Sequence, residues 1–368
     1  MPKHSSIYFH IPFCKRLCGY CDFPKTISLA RKEEVLAAMA EEVAERSGEL
    51  MGTELKTIYF GGGTPTVCTP AELGGLIATV EGRFDLSGVE EVTVEANPDD
   101  LSEAYLAELR EVGVNRLSVG IQSFRDSDLQ MMNRRHDAAG AVAAIEAARR
   151  AGFDNISIDL IYGLPDATPE DWRWNVERAV ELGVEHISAY HLTIEENTLF
   201  GKRGVQCAPE EWSEQEYGIL CEVLRGAGYE HYEISNFALR GRRSSHNGAY
   251  WQGTPYLGIG PGAHSYDGER RRMWNVPSVG RYLDGVKAEC ETLSDTELYE
   301  EYVMVRLRTS EGVDLAHMEE RFGRDKVAQF LRRAEAFVKR GVLRAEQGRV
   351  AFDEMGWLVS DGVIEEFF

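Results

Sequence analysis

The chain has few basic residues for its length, and it lacks the long apolar runs that a membrane span requires. Among 368 residues, 40 are Lys or Arg and 61 are Asp or Glu, which gives a formal net charge of −21. A surface of this sign repels nucleic-acid phosphates and anionic lipids. We therefore expect no nucleic-acid partner and no transmembrane segment, which leaves at most transient contact with a membrane.

Cysteines are also few, and most of them are isolated. Seven are present, and the first apolar run leads into a cysteine cluster instead of a signal-peptide cleavage site. Thiols in a chain with no export signal predict a reducing compartment, here the cytoplasm. Single cysteines are usually small core residues, and four are of this kind: Cys68, Cys207, Cys221 and Cys290.

The other three cysteines form a tight C-x3-C-x2-C run, Cys14, Cys18 and Cys21, directly after a strand-like segment at residues 6–11. A four-iron cubane normally takes four thiolates, so three of them leave one iron open to a small chelating ligand. The alternatives are a zinc knot and ordinary buried thiols. Structural zinc sites add further ligands downstream, and we find no second cysteine pair. The run therefore favours an iron–sulfur cluster with an open position.

Strands and helices alternate through the first half of the chain. The predicted strands cover residues 6–11, 57–60, 92–95, 116–121, 156–161 and 186–192. The predicted helices cover residues 29–49, 102–112, 138–151 and 169–182, with another from Pro70 that Thr69 would cap. Regular alternation predicts parallel strands. Six units, where a full barrel has eight, predict an α/β fold built as an incomplete (β/α)6 barrel, with a doubly wound sheet as the alternative.

Polar and glycine residues come at or just past the ends of these strands, at Gly61–Thr64, Glu95, Gln122, Asp159 and His191. Barrel enzymes build their sites on this face. Glycines let backbone groups approach a ligand closely. A carboxylate in the position of Glu95 would accept hydrogen bonds from ribose hydroxyls.

The pattern changes beyond Pro209. A helix at 209–227 and a strand at 229–234 lead to a basic turn and then to a glycine-rich turn at 257–265. Helices at 295–308, 315–322 and 325–340, two short segments within 342–352 and a last helix at 360–367 predict a mainly helical, winged-helix-like domain. We predict a barrel at 1–235, a connecting region at 236–293 and this C-terminal domain at 294–368. The acidic composition of the chain argues against DNA binding by the C-terminal domain.

The cysteine spacing, with Tyr20 before the last cysteine, resembles the cluster loop of the radical S-adenosylmethionine (SAM) family. The order HIPFC-x3-C-x2-C, GGGTP, EANP, GIQSF, NR, IDLIYGLP, HN-x2-YW and GIGPGAHS resembles the oxygen-independent coproporphyrinogen III oxidases and their relatives over nearly the whole chain. The resemblance implies that Cys14, Cys18 and Cys21 hold a [4Fe-4S] cluster. It also implies a SAM site formed by Tyr8, Tyr20, Gly62, Gly63, Thr64, Glu95, Gln122, Arg134, Asp159 and His264, with a looser match at Tyr190.

Two departures separate this chain from the oxidases. The oxidases carry a further cysteine at the position of Phe23. They also have a long arm before the cluster, whereas 13 residues precede Cys14 here. Both departures resemble the HemW branch, which is regarded as a group of heme chaperones. That resemblance implies heme as a third cofactor, heme-accepting apo-proteins as partners and a reductant for the cluster. The oxidase activity, radical SAM decarboxylation of propionate side chains, is the alternative.

The HemW branch also shares the H-N-x2-Y-W motif, which implies heme binding by His246, Asn247, Tyr250 and Trp251. Histidine is a common axial ligand of heme, and aromatic rings offer flat apolar surface. A packed loop with a hydrogen-bonded histidine is the alternative. Nearby, Arg240, Arg242 and Arg243 would either pair with heme propionates or form a solvated basic turn.

Overall fold

The first strand of the chain lies near the middle of the main sheet, between strands that come from very different parts of the sequence. The computed structural model describes residues 3–368, and their main sheet has twelve strands. Its centre is formed by six parallel strands: β1 (Lys3–Ile11), β2 (Thr53–Gly62), β3 (Glu91–Ala96), β4 (Arg116–Gln122), β5 (Ile156–Tyr162) and β6 (His186–His191). The predicted incomplete (β/α)6 barrel is confirmed.

Helices connect these strands. They are α1 (Lys32–Arg46), α2 (Pro70–Glu81), α3 (Glu103–Glu111), α4 (Asp126–Met131), α5 (Ala138–Arg150) and α6 (Pro169–Glu181). The predicted cap of α2 is confirmed, because Thr69 accepts a hydrogen bond from the backbone N–H of Glu72 and Glu72 bonds back to the N–H of Thr69. Short 3-10 turns follow α1 at Ser47–Leu50 and precede α3 at Pro98–Asp100.

The strands present apolar side chains to the helices. Along β1, every second residue, Ile7, Phe9 and Ile11, is fully buried in the core that also holds Val35 and Met39 of α1. This alternation follows from the two-residue period of a strand.

The opposite face of the same strands is polar, although it is just as deeply buried. Its members include Thr57, Glu91, Arg116, Ser157 and His186, each at most 3% exposed. Buried polar groups must find partners inside the protein. The Ser157 hydroxyl lies 2.7 Å from Nδ1 of His186, and Arg116 lies 3.9 Å from the Glu91 carboxylate. The inside of the barrel is therefore polar and partly hydrogen-bonded, unlike the apolar core on the helix side of the strands.

Further strands extend both edges of the sheet. After α7 (Leu199–Arg203) and α8 (Glu210–Gly226), the strands β7 (Glu230–Glu233) and β8 (Asn236–Ala238) continue from β6 in antiparallel order. On the other side β9 (Tyr256–Ile259) pairs in parallel with β1. It continues into the antiparallel strands β10 (His264–Tyr266), β11 (Arg271–Trp274) and β12 (Glu289–Thr292). Two helices also lie in this part, α9 (Ser245–Gln252) and α10 (Val279–Leu283).

The sequence pattern did not predict this arrangement. The region 236–293, which we expected to be a connection, supplies strands to both edges of the sheet, and its H-N-x2-Y-W motif is a helix. The division of the chain into domains at 235 and 293 stays a prediction, and the first of these boundaries falls inside the turn between β7 and β8.

The C-terminal part is mainly helical, as expected. Its elements are α11 (Asp295–Leu307), β13 (Val313–Asp314), α12 (Leu315–Phe322), α13 (Arg324–Lys339), β14 (Leu343–Glu346), β15 (Arg349–Phe352) and α14 (Ser360–Glu365). Strands β14 and β15 form a hairpin whose two turn residues, Gln347 and Gly348, both have positive φ. Within residues 3–368, no helix has the length and apolar character needed to cross a bilayer.

Candidate cofactor site

A cavity of about 410 Å³ opens at the carboxyl ends of the parallel strands. Its volume is within the range of small-molecule and cofactor sites. Most of the predicted site residues line it: Cys14, Cys18, Tyr20, Cys21, Gly62, Gly63, Thr64, Glu95, Gln122, Arg134, Asp159, Tyr190 and His191. The structure therefore brings together residues that are spread over almost 180 positions of the sequence.

The glycine segment at the end of β2 forms one wall of the cavity, and it has no room for side chains. A Cβ at Gly63 would lie 2.6 Å from the carbonyl oxygen of Phe13, and one at Gly61 would lie 2.9 Å from the Glu95 carboxylate. The backbone N–H groups of Gly63 and Thr64 donate to the carbonyls of Ile11 and Phe13 at 2.8 and 2.7 Å. The glycines thus hold the cysteine loop directly against the end of β2.

The cysteine loop is fixed by contacts from several elements. Thr64 donates its hydroxyl to Cys14 Sγ at 3.5 Å, and Arg134 Nη1 donates to Cys18 Sγ at 3.3 Å. Lys25 Nζ donates to the carbonyl of Cys21 at 2.7 Å. Burial raises the pKa of the Cys14 thiol. Positive groups beside the sulfurs suit thiolate ligands, since hydrogen bonds to cluster sulfurs tune such centres.

The spacing of the three thiols fits a cluster better than a single ion. Three donors around one zinc ion lie roughly 3–4 Å apart, because Zn–S bonds are about 2.3 Å long. Among residues 3–368, the one group of three donor residues whose ligand atoms lie within 4.8 Å of one another is Cys221, His231 and Glu354. At least one pair of sulfurs in the cysteine loop is therefore farther apart than 4.8 Å. The donor set, three thiols facing one cavity, fits a multi-iron cluster with an open position.

Two carboxyl groups lie on the floor of the cavity. The hydroxyl of Tyr59 donates to Oε1 of Glu95 at 2.8 Å, and the backbone N–H of Gly62 donates to Oε2 at 3.1 Å. Burial raises the pKa of Glu95 to about 7 and that of Asp159 to about 6. Perturbed carboxyl groups in a cleft are typical of functional sites.

Arg134 joins the cluster loop to the strand ends. Besides the Cys18 sulfur it reaches the side-chain oxygen of Asn97 at 2.6 Å and the carbonyl of Gly120. Asn97 in turn donates to the Thr64 hydroxyl at 3.2 Å. Asn97 has no role in the predictions made from the sequence, although its place two residues after Glu95, at a strand end, is a usable signal.

Gln122 has an unusual backbone. Its φ is 72°, in the left-handed region that non-glycine residues rarely adopt, and it is 8% exposed. Such strained residues cluster at ligand sites. The conformation turns its side chain back towards Gly120, where a Cβ would lie 2.7 Å from Gln122 Nε2.

Two of the predicted SAM-site residues do not line the cavity. Tyr8 lies below it, stacked on Tyr59 with ring centroids 6.0 Å apart, and its hydroxyl is 3.2 Å from Nδ1 of His10. His264 is exposed on β10 and stacks on Trp274 at 6.1 Å. Tyr8 is thus a supporting residue, and His264 lies outside the cavity lining although it is close enough to His10 of β1 to influence the pKa of that imidazole.

The H-N-x2-Y-W residues lie near the other end of the barrel, close to the start of β3. His246 is 1% exposed, and both of its ring nitrogens are engaged: Nδ1 is 2.7 Å from the Thr57 hydroxyl and Nε2 is 3.0 Å from that of Tyr250. Asn247 and Trp251 are partly exposed. The structure therefore separates the histidine, which faces the barrel interior, from the tryptophan, which lines an outer cavity.

Comparisons with known proteins agree with this architecture. The Radical SAM superfamily model matches residues 8–189, and the HemN C-terminal domain model matches residues 293–359. The protein named heme chaperone HemW from Lactococcus lactis is 35% identical, and the match covers 100% of this chain and 98% of that protein. The heme chaperone HemW from Bacillus subtilis is also 35% identical, with 98% of each chain covered.

A solved structure gives the same fold. Coproporphyrinogen III oxidase HemN from Escherichia coli superimposes with a TM-score of 0.86 and 24% sequence identity, over 100% of this chain and 90% of that one. The likeness covers the strands of 236–293 as well as the helical C-terminal part.

Proposed function

Because the chain belongs to the HemW family of the radical SAM superfamily, we propose that it is a heme chaperone, which binds heme and transfers it to acceptor proteins. The observation that carries this proposal is the match at 35% identity, over the full length, to proteins that bear this name. The oxidase likeness is a likeness of fold.

Radical SAM membership implies a [4Fe-4S] cluster and SAM. We propose that Cys14, Cys18 and Cys21 hold three irons of the cluster, and that SAM lies against Gly62–Thr64 with its ribose at Glu95. When bound, such a cluster can supply an electron to SAM. The protein residues orient and shield the cofactors: Arg134 and Thr64 donate to the cysteine sulfurs, and Tyr59 and Gly62 hold the Glu95 carboxylate.

We propose that heme is bound at the outer side of α9 and not by coordination to the His246 ring as the structure shows it. Trp251 lines a cavity of about 680 Å³, together with Arg243, Arg306 and Arg349. An indole and several guanidinium groups suit a planar macrocycle with carboxylate side chains. Of the four residues expected to bind heme, Asn247, Tyr250 and Trp251 are partly exposed, whereas His246 is buried.

The partners we propose are heme, heme-accepting apo-proteins and a reductant for the cluster. Seven free cysteines support a reducing compartment, the cytoplasm, as the place of action.

The test is an anaerobic incubation of the reconstituted protein. We expect stoichiometric heme binding, seen in the absorption spectrum, and transfer of that heme to an added apo-protein. With coproporphyrinogen III, SAM and a reductant we expect neither protoporphyrinogen nor CO₂. Catalytic decarboxylation would overturn the proposal in favour of the oxidase, and a protein that binds no heme would refute it directly.

A further inference from the structure

We infer that His246 is a positioning residue for the SAM site, which acts through Tyr59 on Glu95. The inference rests on the SAM-binding role proposed above for Glu95, and it does not involve heme. Three consecutive contacts carry it, from helix α9 through the barrel wall to the cavity.

The first contact fixes the His246 ring. Its two nitrogens are held by the hydroxyls of Thr57 and Tyr250 at 2.7 and 3.0 Å, and the side chain is shielded from solvent. Burial lowers the pKa of His246 to about 3, so the ring is neutral and one nitrogen donates while the other accepts. Both nitrogens are therefore used within the protein, and the ring has one fixed orientation.

In the second contact, the fixed His246 ring packs against the ring of Tyr59. The two rings stack with centroids 4.7 Å apart and planes inclined by 24°. Tyr8 stacks against Tyr59 at 6.0 Å. Tyr59 is 7% exposed, so its ring is surrounded by protein groups and not by solvent. Packing against His246 and Tyr8 sets its position.

The third contact reaches the cavity, where the Tyr59 hydroxyl donates to Oε1 of Glu95. Helix α9 is itself anchored to the strand that carries Glu95. The backbone N–H groups of Ser245 and His246 donate to the Glu91 carboxylate at 2.9 and 3.1 Å, and both glutamates belong to β3. Without the imidazole, Tyr59 loses one of the surfaces that keep its hydroxyl aimed at Glu95.

A matched control exists within the same barrel. His186 is also fully buried, and its two ring nitrogens lie 2.7 Å from the hydroxyls of Ser157 and Tyr232. The hydrogen bonds and ring contacts of His186 do not include Tyr59 or Glu95. A purely structural effect of losing a buried histidine should therefore appear in both variants, and a positioning effect only in that of His246.

The experiment is a SAM titration of the full-length, cluster-loaded protein in the absence of heme. We expect His246→Ala and Tyr59→Phe each to weaken SAM binding by roughly three- to tenfold. The double variant should bind no more weakly than Tyr59→Phe alone, because His246 is inferred to act only through the hydrogen bond that Tyr59→Phe already removes. His186→Ala should bind SAM as the wild type does. Iron content and melting temperature are recorded for every variant.

Wild-type SAM affinity in His246→Ala would overturn the inference. So would a double variant whose fold-loss of SAM affinity equals the product of the fold-losses of the two single variants. An equal loss in His186→Ala would also overturn it, since the effect would then be general. If His246→Ala fails to retain the cluster, His246→Gln is judged by the same criteria. A separate Glu95→Gln variant distinguishes a failure of the proposed SAM-binding role of Glu95 from a failure of the positioning role of His246. Unchanged SAM affinity in Glu95→Gln refutes the role of Glu95 itself.

Discussion

Glu91 and Glu95 lie four residues apart on one face of strand β3, and each holds a different part of the molecule. Glu91 accepts the first backbone N–H groups of helix α9 and lies 3.9 Å from the buried Arg116. Glu95 accepts the Tyr59 hydroxyl and faces the cavity. The start of strand β3 thus supports helix α9, and its end carries a residue of the candidate cofactor site.

Removing the Glu91 charge should destabilise the protein strongly. Glu91→Gln leaves Arg116 buried without its carboxylate, and breaking a buried ion pair costs about 3 kcal/mol or more. Its neighbour Glu90 is a matched control, because it is paired with Lys56 at the surface and Glu90→Gln should change stability by about 0.5 kcal/mol at most. Thermal unfolding measures both. Equal melting temperatures for the two variants would contradict the prediction.

The three clustered cysteines, and not the isolated ones, should hold the iron. Replacing Cys14, Cys18 and Cys21 together by Ala should abolish the cluster after anaerobic reconstitution. Cys68→Ala, which changes a buried thiol outside the cavity, should retain it. Iron and sulfide analysis, together with absorption spectroscopy, shows whether each variant holds the cluster. A cluster that survives the triple substitution would refute the assignment.

A side chain on the glycine wall should damage the site. In Gly63→Ala the new Cβ would lie 2.6 Å from a backbone carbonyl, so the cysteine loop must move. Overpacking of this kind costs about 1–3 kcal/mol, and we expect weaker SAM binding together with a lower cluster yield. The control is Gly75→Ala on α2, where the added methyl group has no neighbour within 4 Å and should stabilise the helix slightly. A Gly63→Ala protein with wild-type cluster yield and SAM affinity would show that the wall tolerates a side chain.

The raised pKa of Glu95 predicts pH-dependent SAM binding. Burial holds its pKa near 7, and Asp159 and Arg116 also influence it. Because the ionised carboxylate is the better acceptor for ribose hydroxyls, affinity should rise as the pH increases through about 7. Glu95→Gln should bind SAM more weakly and lose this dependence, which titrations between pH 6 and 8 would reveal. A wild-type affinity that does not vary over this range would contradict the prediction.

The raised pKa of Glu95 has the opposite effect on the stability of the cofactor-free protein, which should fall as the pH rises. Between the ordinary pKa of 4.5 and about 7, folded Glu95 keeps a proton that the unfolded chain has lost. Its contribution to stability therefore falls as the pH rises through that interval. Comparing the melting temperatures of wild type and Glu95→Gln across this range isolates the effect from that of Asp159. A difference between the two proteins that stays constant with pH would refute it.

The parallel strands and the cavity could be predicted because their signals are local. Short apolar runs that end in Gly61–Thr64 or Glu95 mark strand ends, and the strand ends of a parallel barrel converge. Asp159, which we expected at a strand end, lies in the middle of β5. Strand β2 is longer than expected, since it begins at Thr53 with a mainly polar stretch that is held in the sheet by pairing with β1.

The edges of the sheet and the setting of His246 could not be predicted in the same way. Strands β9 to β12 are short, and this group joins the sheet through the pairing of β9 with β1, about 250 residues earlier, which no local pattern reveals. The sequence H-N-x2-Y-W contains a histidine and two aromatic rings, but nothing in it shows which of them face inward. That depends on Thr57 and Tyr59, almost 190 residues earlier.

The pairing of β9 with β1 has a consequence for biosynthesis. Strand β1 leaves the ribosome well before its neighbour β9, which follows some 250 residues later. Until then one edge of β1 is open to other strands, and such edges promote misassembly. Contacts between distant segments also form slowly. The cysteine loop extends directly from β1, so we expect it to reach its final shape only after β9 has been synthesised, and cofactor insertion there should follow that point.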